Sequence, residues 1–402
     1  MYNILSLDGG GSWAIIQLLT LRDRYGNVRG HEILQKFDLV IANSGGSIVL
    51  AALAENWTLE KALTLFDNKD IRESIFSENT FKNRFFPVDY LRLFNFPFGP
   101  KYSSKQKKNS FETLFTEVNK RQMSELPAFI KKESLKIVVC TYDALNNRAK
   151  FFKSYGSDSE DYDSVRLTQA IHGSSNAPVQ YFDFPARFKA KNSEIYYELW
   201  DGALGGFNNP ILAGIIEAFK LGVQLKDIRL VSIGTGNKLM SLKEKNNFWK
   251  WKQIAIKKRR KKLDFKSLKP QAKFFKVTVL NQAKTILYQP PDTANYIAMI
   301  FLKMVSEKAI NEHIVRLSPL IHSDSNTSED VEQLINKLYT LDMDITKDEE
   351  IQYLTDCFVM WRKGEILNQP LEFKVKRDND IVFINGNKDY KNGMDIWISW
   401  GF

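Results

Sequence analysis

Two short apolar runs open the chain, YNILSL at 2–7 and FDLVIA at 37–42. Each gives way to small or polar residues and then to a longer run, WAIIQLLTLRDRYG at 13–26 and the Ala/Leu-rich stretch 45–55. Strand, turn and helix, met twice in succession, predict parallel units of an α/β fold. Further strands are expected at 135–144 (LKIVVCTYDA), 149–156 (AKFFKSYG), 195–200 (IYYELW) and 228–236 (IRLVSIGTG), with a helix over RLTQAIHGSS. Residues 76–108 are aromatic, contain Pro and then turn Lys-rich without a clear period, which predicts a surface excursion. The pattern gives a main domain at 1–240, a basic aromatic segment at 241–276 and a helical part at 277–369 packed on the core. Its helical runs are 274–287, 293–313, 328–341 and 351–368. In the tail, 370–402, the runs LEFKVK, DIVFIN and DIWISW alternate and are broken by Asn/Gly-containing turns, which predicts a small antiparallel β appendage.

Composition adds little until charge is mapped. The chain has 402 residues, 44% hydrophobic and 26% charged, enough to bury a sizeable core. No run approaches the roughly 18 apolar residues of a membrane span. The first residues lack the pattern of a signal peptide. Cys140 and Cys357 stand far apart, which fits a reducing, cytoplasmic setting better than a disulfide framework. Fourteen Lys/Arg lie between Lys243 and Lys276 against Glu244 and Asp264, whereas the whole chain carries a net +10. Within that stretch Phe248, Trp249 and Trp251 precede the cluster Lys257, Lys258, Arg259, Arg260, Lys261, Lys262. As a helix it would lie in a membrane interface, with its cations on lipid phosphates. As a solvated charge run it would have no ligand at all. No nucleic-acid module surrounds it, so no nucleic acid is expected as a partner.

The break after FDLVIA carries the candidate chemistry. Ser44 sits between strand and helix with Gly46 two residues on and Ala42 two residues before, close to the G-x-S-x-G nucleophile elbow. The helix that follows directs free N–H groups at such a serine. An ordinary N-cap by Ser44 or Asn43 gives the same pattern. Gly9, Gly10 and Gly11 follow the first strand and leave amides unshielded, as an oxyanion hole requires. A tight turn or the phosphate loop of a kinase would read alike. Asp201-Gly202 ends a strand, where a carboxylate faces a cleft as a base or caps an Asx turn. His31 and His172 precede Asp201, and His313 and His322 follow it, so a Ser–His–Asp triad also stays open. No metal-ligand cluster is visible.

In this order, the DGGG turn at 8–11, the elbow at Ser44 and Asp201-Gly202-Ala203 resemble the patatin-like phospholipases. TYDALNNRAKFFKSYG, SSNAPVQYF, DGALGGFNNP and VSIGTG add to the likeness, with RLSPLI at 316–321 a weaker echo. Two positions depart from the family pattern: Ala42 stands where Gly is usual, and Ser12-Trp13-Ala14 where a basic residue and then Gly are usual. The resemblance implies a three-layer domain around a mostly parallel sheet. It implies Ser44 as acyl-accepting nucleophile, Asp201 as its base, Gly9, Gly10 and Gly11 as oxyanion donors, and no histidine, metal or cofactor. The implied reaction is phospholipase A-type hydrolysis of glycerolipid esters at the inner face of a membrane. Some such bacterial proteins are switched on by a cyclic nucleotide or a partner in antiphage defence. The tail and the basic segment are then the expected sensors, with a homo-oligomer as one form of control. A catalytically silent membrane- or nucleotide-binding module and a kinase-like enzyme using the DGGGS turn are the competing readings.

Overall fold

The structure, a computed structural model, describes residues 1–78, 100–156, 164–178, 181–191, 194–238, 292–302, 311–323, 327–369, 371–377 and 380–402. The basic segment 241–276, with Lys257 to Lys262, lies outside the described residues, as does the helical run expected at 274–287.

The chain begins with β1 (Tyr2–Leu7), α1 (Ile15–Tyr25), β2 (Leu39–Ala42) and α2 (Ser44–Ala54), the two units that the apolar pattern predicts. Helices α3 (Leu59–Asp67), α4 (Lys69–Ile75) and α5 (Ser104–Leu114) follow. Next come β3 (Lys136–Asp143), β4 (Arg148–Lys153), α6 (Leu167–Ser174), β5 (Ala186–Lys189) and β6 (Tyr196–Asp201). Then α7 (Ile211–Lys220) leads to β7 (Ile228–Ile233) and the short β8 (Asn237–Lys238). Past the basic segment lie α8 (Asp292–Phe301), β9 (Ile314–Leu317), β10 (Leu320–Ile321), α9 (Glu329–Thr340) and α10 (Asp348–Arg362). The tail holds β11 (Leu371–Arg377), β12 (Asp380–Gly386) and α11 (Tyr390–Ser399).

One eight-stranded sheet, ordered β5-β6-β3-β2-β1-β7-β9 with β4 also on β3, forms the middle layer. The pairs β1–β2, β2–β3, β1–β7 and β7–β9 are parallel, and those around β4, β5 and β6 antiparallel. Side chains alternate between its two faces. Leu5, Leu7, Val40, Ile137, Val231 and Val315 join the large core under α1, α2, α3, α9, α10 and α11. Ile4, Leu39, Ile41, Val138 and Leu230 join a second core under α7 and α8. Both faces are covered, which is why these strands read as continuous apolar runs. The fold is therefore the expected three-layer α/β arrangement with a helical C-terminal region. No helix among the described residues is long and apolar enough to cross a membrane.

Three expectations are corrected. The main sheet does not end at 240: β9 pairs with β7 and supplies an edge strand from the part expected to be helical. Residues 104–108 belong to α5, whose Ser104 and Lys107 are buried while Lys105 and Gln106 stay exposed, so this end of the expected surface excursion is a helix with one face in the interior. In the tail, β11 and β12 do pair antiparallel, but DIWISW belongs to α11. Asp389 caps α11 by accepting from the Asn392 amide at 2.7 Å, and the buried residues Tyr390, Met394 and Trp397 recur at helical spacing. A period-2 strand would put Ile396, Ile398 and Trp400 on one face, but Ile398 is half exposed while Trp400 is buried. Packed against β9 and α1, α11 belongs to the core: Trp397 meets Tyr25 edge-on, and Tyr390 Oη donates to Asp23 at 2.8 Å.

A buried ion pair ties that recruited edge strand to the start of the chain. Arg316 on β9 is fully buried and donates to Asp8 Oδ2 at 2.6 Å, to Ser232 Oγ at 2.7 Å and to Gln369 Oε1. Asp8 immediately follows β1 and leads into the glycine turn. Removing one partner strands a charge away from water. Arg316→Met is therefore expected to lower unfolding free energy by about 3 kcal/mol or more, and Arg316→Met combined with Asp8→Asn to recover part of the loss. Urea unfolding of the two variants checks this, and a double variant no more stable than the single would contradict it.

Candidate active site

Strand β3 decides which residues meet. On one edge it pairs with β4 over Val138–Asp143. Its other edge is shared: β2 covers Lys136 to Val139, and β6 covers Thr141 to Asp143 running the opposite way. The C-terminal ends of β2 and β6 therefore face each other, Ala42 opposite Val139 and Asp201 opposite Thr141. Two residues of strand separate them, roughly 7 Å. The residues just past Ala42 and the Asp201 side chain converge in that gap.

Ser44 starts α2 with φ 48°, left-handed backbone that a non-glycine residue rarely adopts. The turn is forced by packing. Gly46 donates to the Asp8 carbonyl at 3.1 Å, and a Cβ there would lie 2.5 Å from the Leu7 oxygen. The helix N-terminus is thus pressed onto the end of β1, and the chain from β2 must bend sharply to reach it. Ala42 in place of glycine is accommodated, because it is an ordinary buried strand residue without positive φ.

The Ser44 side chain lies beside the Asp201 carboxylate and favours its charged form. Asp201 Oδ1 accepts from Asn43 Nδ2 at 3.1 Å and from the Ala203 amide at 2.9 Å. Asp201 thus caps its own turn, as an Asx reading expects, and lies beside the serine as well. Asn43 makes no side-chain cap on α2; its amide goes to Asp201 instead. Its Oδ1 accepts from Ser174 Oγ at 3.4 Å, and Ser174 Oγ in turn accepts from the Ser44 amide at 2.9 Å. Asn43 and Ser174 therefore hold the serine backbone and the carboxylate in one buried network.

The glycine turn lies against this network. Gly9 donates to the Asn208 carbonyl at 2.8 Å, so its amide is already committed. Gly10 and Gly11 have no partner for their amides among the described residues, which reduces the expected three donors to two. Residues 341–345 close over the turn. Ser12 donates to the Met343 carbonyl at 2.9 Å and Trp13 Nε1 to the Asp342 carbonyl at 3.0 Å. Tyr102 Oη and Lys101 Nζ both reach Asp344 Oδ2 at 2.6 Å. The departure at Ser12-Trp13-Ala14 thus anchors this strap, and Gly11, at φ 58° with Met343 O where a Cβ would go, admits it.

A pocket opens beside the serine, lined by Gly11, Ser44 and Gly45, by apolar side chains such as Ile48, Phe76 and Phe182, and by Lys107. Its cavity volume of about 20 Å³ holds a water and no acyl chain, so a lipid must displace lining side chains to enter. Burial shifts the ionisable groups here in the directions that favour their neutral forms. It raises the pKa of Asp201, against Ser44, the hydrogen bonds from Ala203 and Asn43 and the charge of Lys107. It lowers that of Lys107 well below the usual range, against Asp201 and Asp183. It lowers that of His172, whose Nε2 lies 3.4 Å from Ser104 Oγ, with Lys107 and Lys108 adding to the effect.

His313 and His31 have partners elsewhere, and His322 makes no hydrogen bond to Ser44 or Asp201 among the described residues. His313 Nδ1 contacts the carbonyl of Ile228, the first residue of β7 and thus at the opposite end of the parallel strands from Ser44. His31 Nε2 contacts the Ala54 carbonyl at the far end of α2, about 15 Å of helix from Ser44. Sequence reasoning missed Ser174 and Lys107 and read Asn43 only as a cap. Lys107 was hidden among Lys101, Lys105 and Lys108, where nothing in the spacing marks one lysine as interior.

Residues 5–215 match the patatin-like phospholipase family. Among solved structures the chain is similar to VipD from Legionella pneumophila, at 10% identity and a TM-score of 0.31, covering 89% of this chain and 66% of that one. It is also similar to a chain of the complex of full-length SpcU with full-length ExoU from the type III secretion system of Pseudomonas aeruginosa. There the identity is 16% and the TM-score 0.25, covering 44% of this chain and 38% of that one. The chain thus spans less than two thirds of the length of either. No curated protein matches it. With more than half of its length matched, the chain belongs to the patatin-like phospholipase family.

Proposed function

We propose that this protein is a serine acyl hydrolase of phospholipase A type, cleaving glycerolipid esters with Ser44 and Asp201 as a dyad. The observation that carries the reading is the left-handed Ser44 joined to the buried Asp201 carboxylate in one network through Asn43 and Ser174. Asp201 accepts the Ser44 proton as Oγ attacks the acyl carbonyl. The Gly10 and Gly11 amides and the N-terminus of α2 stabilise the tetrahedral oxyanion. The proton passes from Asp201 to the leaving oxygen, and the alcohol or lysolipid departs. Water, deprotonated by Asp201, then attacks the acyl-enzyme and frees the fatty acid. Each step balances with Ser44, Asp201 and water alone. A kinase-like use of the DGGGS turn gives the Ser44–Asp201 contact no role.

Our reading sets this reaction at a membrane surface reached from the cytoplasm. Control by a nucleotide second messenger or a partner, as in antiphage defence, is drawn from the sequence of 241–276 and of the tail. Replacing the six basic residues 257–262 tests the membrane part by co-sedimentation with anionic vesicles.

A fluorophosphonate probe is expected to label the wild-type protein and not Ser44→Ala. Asp201→Asn is expected to lower kcat/KM on a glycerolipid by about a hundredfold or more, the scale of a lost general base. Equal labelling of Ser44→Ala would overturn the assignment. The pH profile gives a second test. A base must be ionised, and burial raises the pKa of Asp201 above its ordinary 3.8. Activity is therefore expected to fall as pH drops, with its midpoint above that value. An acid limb at or below the ordinary aspartate range would contradict Asp201 as the base.

A further inference from the structure

The pocket beside Ser44 contains one charged side chain that the proposed dyad does not use. Lys107 projects from the second turn of α5 and is 1% exposed. Its ammonium has three donors, yet among the described residues it makes a single hydrogen bond, to Ser175 Oγ at 3.3 Å. Otherwise it lies 3.8 Å from the centroid of the Phe182 ring. Among the described residues no carboxylate is within ion-pairing distance of it; Asp201 and Asp183 act on it from farther away. A buried, underpartnered ammonium costs stability, because its hydration has been given up without an anion in return. Its neighbours in the pocket are apolar or aromatic, apart from Ser44, Ser175 and backbone. Among the described residues, then, no anion of the chain completes it.

We propose that Lys107 is a specificity-determining anion subsite, which holds the anionic oxygens of a lipid while its ester lies at Ser44. The shared chemistry is a chain-bearing anion. Its source is the phosphodiester of the substrate headgroup or the carboxylate of the released fatty acid. The proposal rests on the serine hydrolase reading for its kinetic consequence but not for the binding site. The aromatic face of Phe182 adds a cation–π contact that keeps the ammonium aimed into the pocket. Entry of the anion supplies charge-assisted hydrogen bonds to the unused donors. An uncharged ester gains no such contact, so discrimination arises beside the reacting carbonyl.

The experiment compares the wild type with Lys107→Met, which keeps the unbranched stem and removes the charge. Phosphatidylglycerol and diacylglycerol of the same acyl chains are the two substrates. The ratio of their kcat/KM values is expected to fall about tenfold or more in the variant, the scale of a lost charged hydrogen bond. A ratio that stays put excludes the headgroup as the source and, unless the titration below shows a preference for laurate, overturns the proposal. Calorimetric titration with dodecyl phosphate, laurate and dodecanol, each below its aggregation threshold, reads the site without turnover. Tighter wild-type binding of dodecyl phosphate assigns the subsite to the headgroup, and tighter binding of laurate assigns it to the product. Either preference should vanish in Lys107→Met. Wild-type affinity that is equal for dodecanol and both anions overturns the proposal. If neither lipid is hydrolysed while the anion preference holds, the hydrolase reading fails and the subsite stands. The variant is also expected to melt at or above the wild-type temperature, since a buried charge is gone, whereas a purely structural lysine would melt lower.

Discussion

The site depends on how one strand divides its edge. Because β2 stops at Val139 of β3 and β6 begins its pairing at Asp143 and ends at Thr141, two strand ends meet head-on. A parallel strand contributes the serine turn and an antiparallel one the carboxylate. Continuous pairing by either strand would fill the gap and remove the cleft. Hydrogen-bonded register is a strong constraint, since a slip of one residue turns every side chain to the other face of the sheet. Ser44 and Asp201 are therefore positioned by the sheet, with Asn43 and Ser174 fixing only the last ångströms.

The glycine turn inherits its place from the same sheet. Asp8 leaves β1 in line with the end of β2, and Arg316 pins it from β9 on the far side of β7. Helix α2 then presses Gly46 against the Leu7 and Asp8 carbonyls. Any change that loosens β9 therefore reaches the oxyanion loop through one ion pair. This gives the C-terminal half a physical stake in the site although the family match ends at residue 215. The strap at 341–345 has a second such stake, since it is held by the Ser12 amide and the Trp13 indole N–H and lies close against Gly11.

What the sequence made legible follows from what local pattern can encode. Apolar runs broken by small residues gave the two opening β/α units, because a buried parallel strand must be apolar on both faces. Ser44 was visible because an elbow demands small neighbours at fixed offsets. Asp201 was visible from its strand end, but its contact with Ser44 depends on the shared edge of β3, which no local window contains. β9 was missed because its four residues lie between the helical runs 293–313 and 328–341, too short to mark a strand alone, and are claimed by pairing with β7. The last helix was misread because Ile396, Trp397 and Ile398 satisfy both periods, and only the cap at Asp389 and the groove against α1 and β9 decide between them. Lys107 was illegible for a related reason: burial is a property of the assembled α5 and α6 surface, whereas composition marks lysine as exposed.

One environment perturbs the acid and the cation beside Ser44 in opposite directions. Low dielectric pushes Asp201 upward and Lys107 downward, so each is driven toward its neutral form, and each counters the shift of the other. The raised carboxylate is a better proton acceptor than a solvated one, which suits the proposed dyad without histidine. The lysine shares the same dry pocket and therefore stays underpartnered until an anion arrives. A lipid that brings negative charge restores the balance that burial removed, and it does so next to the carboxylate that must stay ionised to accept the serine proton. An anion at Lys107 would thereby raise the pKa of Asp201 further, strengthening it as a base while shifting its titration toward neutral pH. Substrate charge and proton transfer are then coupled through a single buried lysine, with no contact between the anion and the dyad required.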